Sequence, residues 1–280
     1  MALNRACIGR LYTAAPIVVT GDDLRSFVEA LGESPAAWSD RTGIPVAHPA
    51  FPFKLVRSVM PLVLDDPELG VDRLRMVHGE QAFTYHRPVR ASDHVTIKAE
   101  VIGIDDKPTG QILRTEQRIY CGGELAVTGI AVAFIRGEQP KPSSASSRAP
   151  RPPAPERSVL RCVARDVDVA LARQYADASG DHNPIHLDDA VARSAGLGGI
   201  ILHGACTLAL AMSELARAAA SDPDRLHRVS ARFVRPLRLP NRIEITVWHE
   251  SSAPAGALGF EVKDSAGGLV LGAGTATIAG

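Results

Sequence analysis

The chain repeats itself. Shifted by 148 positions, Tyr85-His86-Arg87-Pro88-Val89-Arg90 lies over Phe233-Val234-Arg235-Pro236-Leu237-Arg238. The same shift sets the alternating run Val95-x-Ile97-x-Ala99 over Ile243-x-Ile245-x-Val247, and Phe27-Val28-Glu29-Ala30 over Tyr175-Ala176-Asp177-Ala178. Gly32-Glu33 falls on Gly180-Asp181. Near the two ends Gly122-Gly123 meets Gly267-Gly268 at a shift of 145, which implies three residues' difference in one hairpin. A single shift held over so long a span points to duplication of a whole unit. The fold must therefore be one architecture made twice.

Composition says where the copies part. Residues 137–157, GEQPKPSSASSRAPRPPAPER, carry six prolines and four serines and no large apolar side chain. Such a stretch cannot bury enough surface to offset its ordering entropy and reads as an extended linker. It separates an N-terminal domain, residues 1–136, from a C-terminal domain, residues 158–280. The 31 basic and 31 acidic residues cancel, which argues against a nucleic-acid partner. No apolar run reaches the roughly 18 residues of a membrane span, and the N-terminus lacks the apolar core of a secretory signal. Cys7, Cys121, Cys162 and Cys206 are scattered without a CxxC pair, which favours a reducing compartment over a disulfide scaffold or zinc site. The C-terminus TIAG is no peroxisomal address, so the cytoplasm is the default location.

Each half has the same order of elements. A short amphipathic helix spans about 21–31, with Leu24, Phe27, Val28 and Leu31 at helical spacing, and its copy spans about 168–178. After an irregular stretch comes a longer apolar helix. It runs from Gly204 to Ala220, apolar all round, and near Phe53–Leu64 in the first half, where Pro61 interrupts it. Strands with period-two alternation follow at about 76–87, 93–104, 110–121 and 124–136, with counterparts from 227 to 278. The Gly-Gly pairs mark hairpins. A buried helix wrapped by an antiparallel sheet, made twice, is an α+β architecture.

The chemistry concentrates in Ser179-Gly180-Asp181-His182-Asn183-Pro184-Ile185-His186. Gly180 can stop the preceding helix and Asn183-Pro184 forces a turn, so Asp181 and His186 share one irregular loop. A carboxylate and an imidazole meeting at one point can hold a water and exchange protons with it. Leu202-His203-Gly204 opens the buried helix, whose free amides suit a developing oxyanion, and His203 reads as the cap of that helix. A metal on Asp181, His182 and His186 lacks an HExxH helix or a clear further ligand, so no metal is expected, and with no Gly-rich phosphate loop visible no nucleotide or flavin is expected either.

SGDHNPIH followed by LHGACT resembles the hydratase-2 motif of the MaoC-like dehydratases, the (R)-specific enoyl-CoA hydratases. His78-Gly79-Glu80-Gln81 and the following YHRPV resemble the N-terminal half of the two-domain members. The resemblance implies a double hot-dog fold around one active site, with Asp181 and His186 as the catalytic pair. It implies that Asn183 anchors substrate and that the Gly204 amide holds the thioester oxygen. It sets His78, Gly79, Lys107 and Phe233 against the acyl-CoA; a flexible lysine also suits a phosphate-rich ligand. The implied activity is hydration of trans-2-enoyl-CoA to (3R)-3-hydroxyacyl-CoA in fatty-acid metabolism, or the reverse dehydration. The carrier, coenzyme A or an acyl carrier protein, stays open, as does a homodimer. The alternatives are a hot-dog acyl-CoA thioesterase, which would direct water at C1, and a non-catalytic acyl-thioester-binding subunit.

The repeat qualifies the picture. Under the shift of 148, Glu33 answers Asp181, Trp38 answers His186, and Leu55-Val56 answer His203-Gly204. The first half is therefore expected to lack both the histidine and the glycine, to be chemically silent, and to shape the acyl tunnel. Arg232, Arg235, Arg238 and Arg242 form a candidate carrier-docking patch, but at alternating strand positions they read as ordinary solvated arginines.

Overall fold

The computed structural model describes residues 2–40, 42–137, 157–219, 226–250, 254 and 256–278. The linker positions 138–156 lie outside the described residues.

The first half runs β1 (Leu11–Thr13), β2 (Ile17–Val18), α1 (Gly21–Ala30), α2 (Pro52–Val56), α3 (Met60–Leu64), β3 (Met76–Tyr85), β4 (His94–Lys107), β5 (Gly110–Cys121) and β6 (Glu124–Arg136). The second runs β7 (Arg157–Val167), α4 (Val169–Ser179), α5 (Asp189–Ser194), β8 (Ile201–Leu202), α6 (Gly204–Ala218), β9 (Leu226–Phe233), β10 (Leu237–Arg238), β11 (Asn241–Glu250), β12 (Ala257–Asp264) and β13 (Leu269–Ile278). The strand β7 was not anticipated, and it starts at Arg157, inside the stretch read as linker.

The duplication is written into the strand pairing. The main sheet runs β1-β4-β5-β6-β3-β9-β13-β12-β11-β7, so its second half is the first in reverse order. Leu11 faces Glu100 and Val159 faces Trp248; Ile17 faces Val95 and Arg165 faces Ile243. Each second pair is the first shifted by 148. The halves join where β3 pairs with β9, and there Ala82 faces Ser230, its own repeat counterpart. Phe27 likewise packs on its counterpart Tyr175, with ring centroids 5.8 Å apart. The two copies are thus related by an approximate two-fold.

Local signals agree with this symmetry. The side chain of Thr20 caps α1 and that of Asp168 caps α4, each accepting from the third helical amide. Both helices end at a glycine in the left-handed region, Gly32 at φ 69° and Gly180 at φ 76°. The long helices differ. α6 is a continuous 15-residue helix buried from Cys206 through Ala216. Each leucine or methionine it hides from water stabilises the fold by about 1.5–3 kcal/mol. Its counterpart is broken into α2 and α3, because Pro61 fits the first turn of a helix but not an interior. Among the described residues no helix is long and apolar enough to cross a membrane.

Candidate active site

The loop after α4 builds the site. Asp181 begins it, its amide donating to the buried Ser179 hydroxyl at 3.2 Å. Asn183 caps a single 3-10 turn, Pro184–His186, by accepting from the Ile185 amide, and so swings His186 inward. His186 is buried, and its Nδ1 lies 2.9 Å from the Ile201 carbonyl oxygen. A carbonyl only accepts, so the proton sits on Nδ1 and the Nε2 lone pair is free. Burial lowers the His186 pKa, against the pull of the Ile201 bond and of Asp181. The ring is therefore neutral at neutral pH and can take a proton.

His203 stacks on His186 with centroids 3.8 Å apart. Contrary to the expectation from its position, it does not cap α6 with its side chain. Its Nε2 donates to the backbone oxygen of Asp181 at 2.9 Å, tying the loop to the start of the helix. Burial and the neighbouring His186 push His203 down to about 4, and its buried Nδ1 has no partner. Gly204 opens α6, where amides of the first turn lack partners within the helix. Glycine is required there: a Cβ would come within 2.9 Å of the Phe233 ring. Phe233 in turn packs on His78, centroids 4.6 Å apart.

Asp181, His186, His203, Gly204, Phe233 and His78 thus form one cluster. The other expected residues stand apart from it. Gly79 sits at an irregularity of the β3–β6 pairing, where a Cβ would meet the Val132 carbonyl at 3.2 Å, a backbone role. Asn183 is exposed and its side chain is used in the cap. Lys107 is exposed in the β4–β5 hairpin and is not among the residues lining the cavity described below. His182 points outward, 3.9 Å from Asp177. The three arginines Arg232, Arg235 and Arg242 are engaged with Glu80, Asp264 and Asp166.

A cavity of about 190 Å³ opens at this cluster, lined by Asp181, Ser179, Tyr175 and Ala205 from the second half. The rest of its wall comes from the first half. Val56, Arg57, Met60, Pro61 and Leu64 line it from the break between α2 and α3, and His78, Gln81, Thr115 and Gln117 from the sheet. Arg57 holds the Asp181 carboxylate at 3.0 Å, a partner that no sequence pattern revealed because it comes from the other half. Ligand atoms of Asp181, His186 and His203 lie within 4.8 Å of one another. With Arg57 already neutralising the carboxylate, that donor set suits a water better than a dication.

The first half holds the counterpart of this cluster. Trp38 Nε1 donates to Glu33 Oε2 at 2.9 Å, and both residues are buried. Here the fixed shift misled. Leu55-Val56 are not the counterparts of His203-Gly204, since His48 packs on Trp38 with centroids 4.2 Å apart, its ring tilted by 59°, in the place where His203 stacks on His186. His48 also approaches Phe27 at 5.9 Å, as His203 approaches Tyr175 at 5.1 Å. The first half thus holds a counterpart of His203, while Trp38 still stands where His186 does.

Comparison with known proteins agrees with the geometry. A MaoC-like domain model matches residues 151–265, and a FAS1-like dehydratase region model matches residues 6–128. A UPF0336 protein of Streptomyces coelicolor is 36% identical over 137 residues, 46% of this chain and 91% of that protein. The peroxisomal enoyl-CoA hydratase 2 of Arabidopsis thaliana is 30% identical over 200 residues, 67% of this chain and 64% of that enzyme. The crystal structure of a MaoC-like dehydratase from Phytophthora capsici superposes with a TM-score of 0.79 at 24% identity, covering 99% of this chain and 98% of that one. The second half is a MaoC-like dehydratase domain and the first a FAS1-like dehydratase region, together in a double hot-dog fold.

Proposed function

We propose that the protein adds water across the C2–C3 double bond of trans-2-enoyl thioesters to give (3R)-3-hydroxyacyl thioesters, and catalyses the reverse dehydration. The observation that carries this reading is the Asp181 carboxylate, which lines the cavity, within 4.8 Å of an inward-facing, neutral His186. A water held between them donates one hydrogen to each acceptor. As its oxygen attacks C3, one of the two takes the proton. The His186 Nδ1 proton is committed to Ile201, so the proton delivered to C2 is the water's own, returned on the same face. The bookkeeping closes: hydroxyl to C3, hydrogen to C2, both catalytic groups restored.

Negative charge grows on the thioester oxygen as C3 is attacked. The Gly204 amide at the start of the buried helix α6 meets that charge, a contact of the kind worth about 3–4 kcal/mol where one donor has been removed. The acyl chain enters the cavity under α2 and α3, and the thioester carrier leaves past Phe233 and His78. The Arabidopsis relative's name supports coenzyme A as one carrier. The test is loss of the enoyl-thioester absorbance band with crotonyl-CoA and longer enoyl-CoAs, followed by the configuration of the product. A (3R) product supports the reading; release of free thiol without hydration rejects it in favour of a thioesterase.

A further inference from the structure

The two halves grip each other's loops by the same device. In the second half, Lys54 of α2 donates to the Ala178 carbonyl near the end of α4 at 2.8 Å, and Arg57, three residues on, holds Asp181 at 3.0 Å. In the first half, Arg165 donates to the Leu31 carbonyl at the end of α1, and Arg217 of α6 holds Glu33 at 3.1 Å. Each time, one cation from the opposite half caps a helix C-terminus, where unpaired carbonyls and the helix dipole favour positive charge. Each time, a second arginine fixes the carboxylate that follows. The arrangement recurs even where the carboxylate faces a tryptophan, so it is part of the fold.

At the active loop the same brace touches the chemistry. The backbone of Asp181 is held by Ser179 and His203, but its carboxylate has Arg57 as its ion-pair partner. That side chain is 24% exposed and could otherwise turn to solvent. Arg57 leaves α2 at the break before Pro61, so the broken helix that opens the cavity also presents the guanidinium. We infer that Arg57 is a positioning residue for the hydration step, through which the first half sets the Asp181 carboxylate opposite His186. The inference rests on the hydratase reading above.

The consequence is that the first half contributes an active-site group although it carries no catalytic pair of its own. Misplacing a reacting group by about 1 Å can cost about a hundredfold in rate. Arg57→Ala should therefore lower kcat by about ten- to a hundredfold, with a smaller change in KM, while its melting curve stays cooperative. Arg57→Lys, which keeps the charge but not the planar fork, should recover part of the loss. Millimolar guanidinium ion added to Arg57→Ala should restore turnover partly. The positive charge of Arg57 also opposes protonation of His186. The acidic limb of the kcat/KM profile should accordingly move to higher pH in Arg57→Ala and stay in place in Arg57→Lys. Arg217→Ala, the same brace in the other half, should lower the melting temperature without moving that limb.

Wild-type hydration together with an Arg57→Ala enzyme whose kcat is within about twofold and whose acidic limb is unmoved overturns the positioning role alone. A lowered kcat with no rescue by guanidinium and no shift of the limb reduces Arg57 to a structural contact and also overturns it. A wild-type enzyme that hydrates no enoyl thioester removes both the functional reading and this role.

Discussion

Two loops built to one plan have taken opposite courses. After α4 the loop carries Asp181, which lines a cavity, and His186 within 4.8 Å of it; after α1 it carries Glu33 and Trp38, joined to each other and buried. An imidazole can exchange a proton with water, whereas an indole nitrogen only donates a hydrogen bond. Trp38 also packs with Val28 and Ala216. The long helices differ in the complementary sense: α6, beside the intact pair, is unbroken and buried, and α2–α3 is broken and lines the cavity. Duplication allowed one copy to hold a carboxylate and an imidazole together and the other to open space. Each half is incomplete alone, and Arg57 crosses between them.

The sharpest way to break this comparison is to remove the proton acceptor. His186→Ala should lower hydration by about 10²–10⁴-fold, the usual worth of a positioned general base, while the fold survives. Combining it with Asp181→Asn should cost little more than either alone, since both hold one water. Steady-state rates of the single and double variants check this; near-additive losses would mean two separate roles.

Next in size is Gly204→Ala. The added methyl meets the Phe233 ring at 2.9 Å, so the ring must shift from its place against His78. We expect kcat/KM to fall about 10–100-fold with the melting temperature nearly unchanged, because the disturbance lies at the oxyanion and carrier contacts.

The effect furthest from the chemistry concerns acid stability, and it separates the two halves by their histidines. Burial pushes His48 down to about 3 and His203 to about 4, from an ordinary value of 6.5. The unfolded chain therefore binds protons below pH 6.5 that the folded chain does not, and stability falls as pH falls. Each histidine contributes a slope of at most about 1.4 kcal/mol per pH unit. His203 stops contributing near pH 4, while His48 continues towards pH 3. Denaturant melts of His48→Asn and His203→Asn should show the wild-type loss blunted in each, with the His48 variant differing further below pH 4.

What could be read from the chain follows from where the information lies. The repeat was legible because pairing register preserves spacing along strands, and α1, α4 and α6 because their caps and apolar spacing are local. β7 was missed because it follows a proline-rich stretch and interleaves Arg157, Arg161, Arg165 and Asp166 with its apolar residues, as an edge strand does. His48 was missed because the segment between loop and helix differs in length between the copies, so a fixed shift fails there. Asp181 and His186 lie on one short turn and were recognisable together. Arg57 was not, since an ion pair between halves leaves no pattern in either. Asn183, Gly79 and Lys107 came from the resemblance alone, and the structure places them in a helix cap, at a strand irregularity and in an exposed hairpin.

The central claim is that chemistry belongs to the second-half loop alone. It is tested most directly by crotonyl-CoA hydration measured side by side for Asp181→Asn and Glu33→Gln, each shown to be folded. The account predicts a loss of about 10²–10⁴-fold for Asp181→Asn and turnover within about twofold of wild type for Glu33→Gln, with (3R) product throughout. Comparable collapse in both variants, or undiminished turnover in Asp181→Asn, would contradict it.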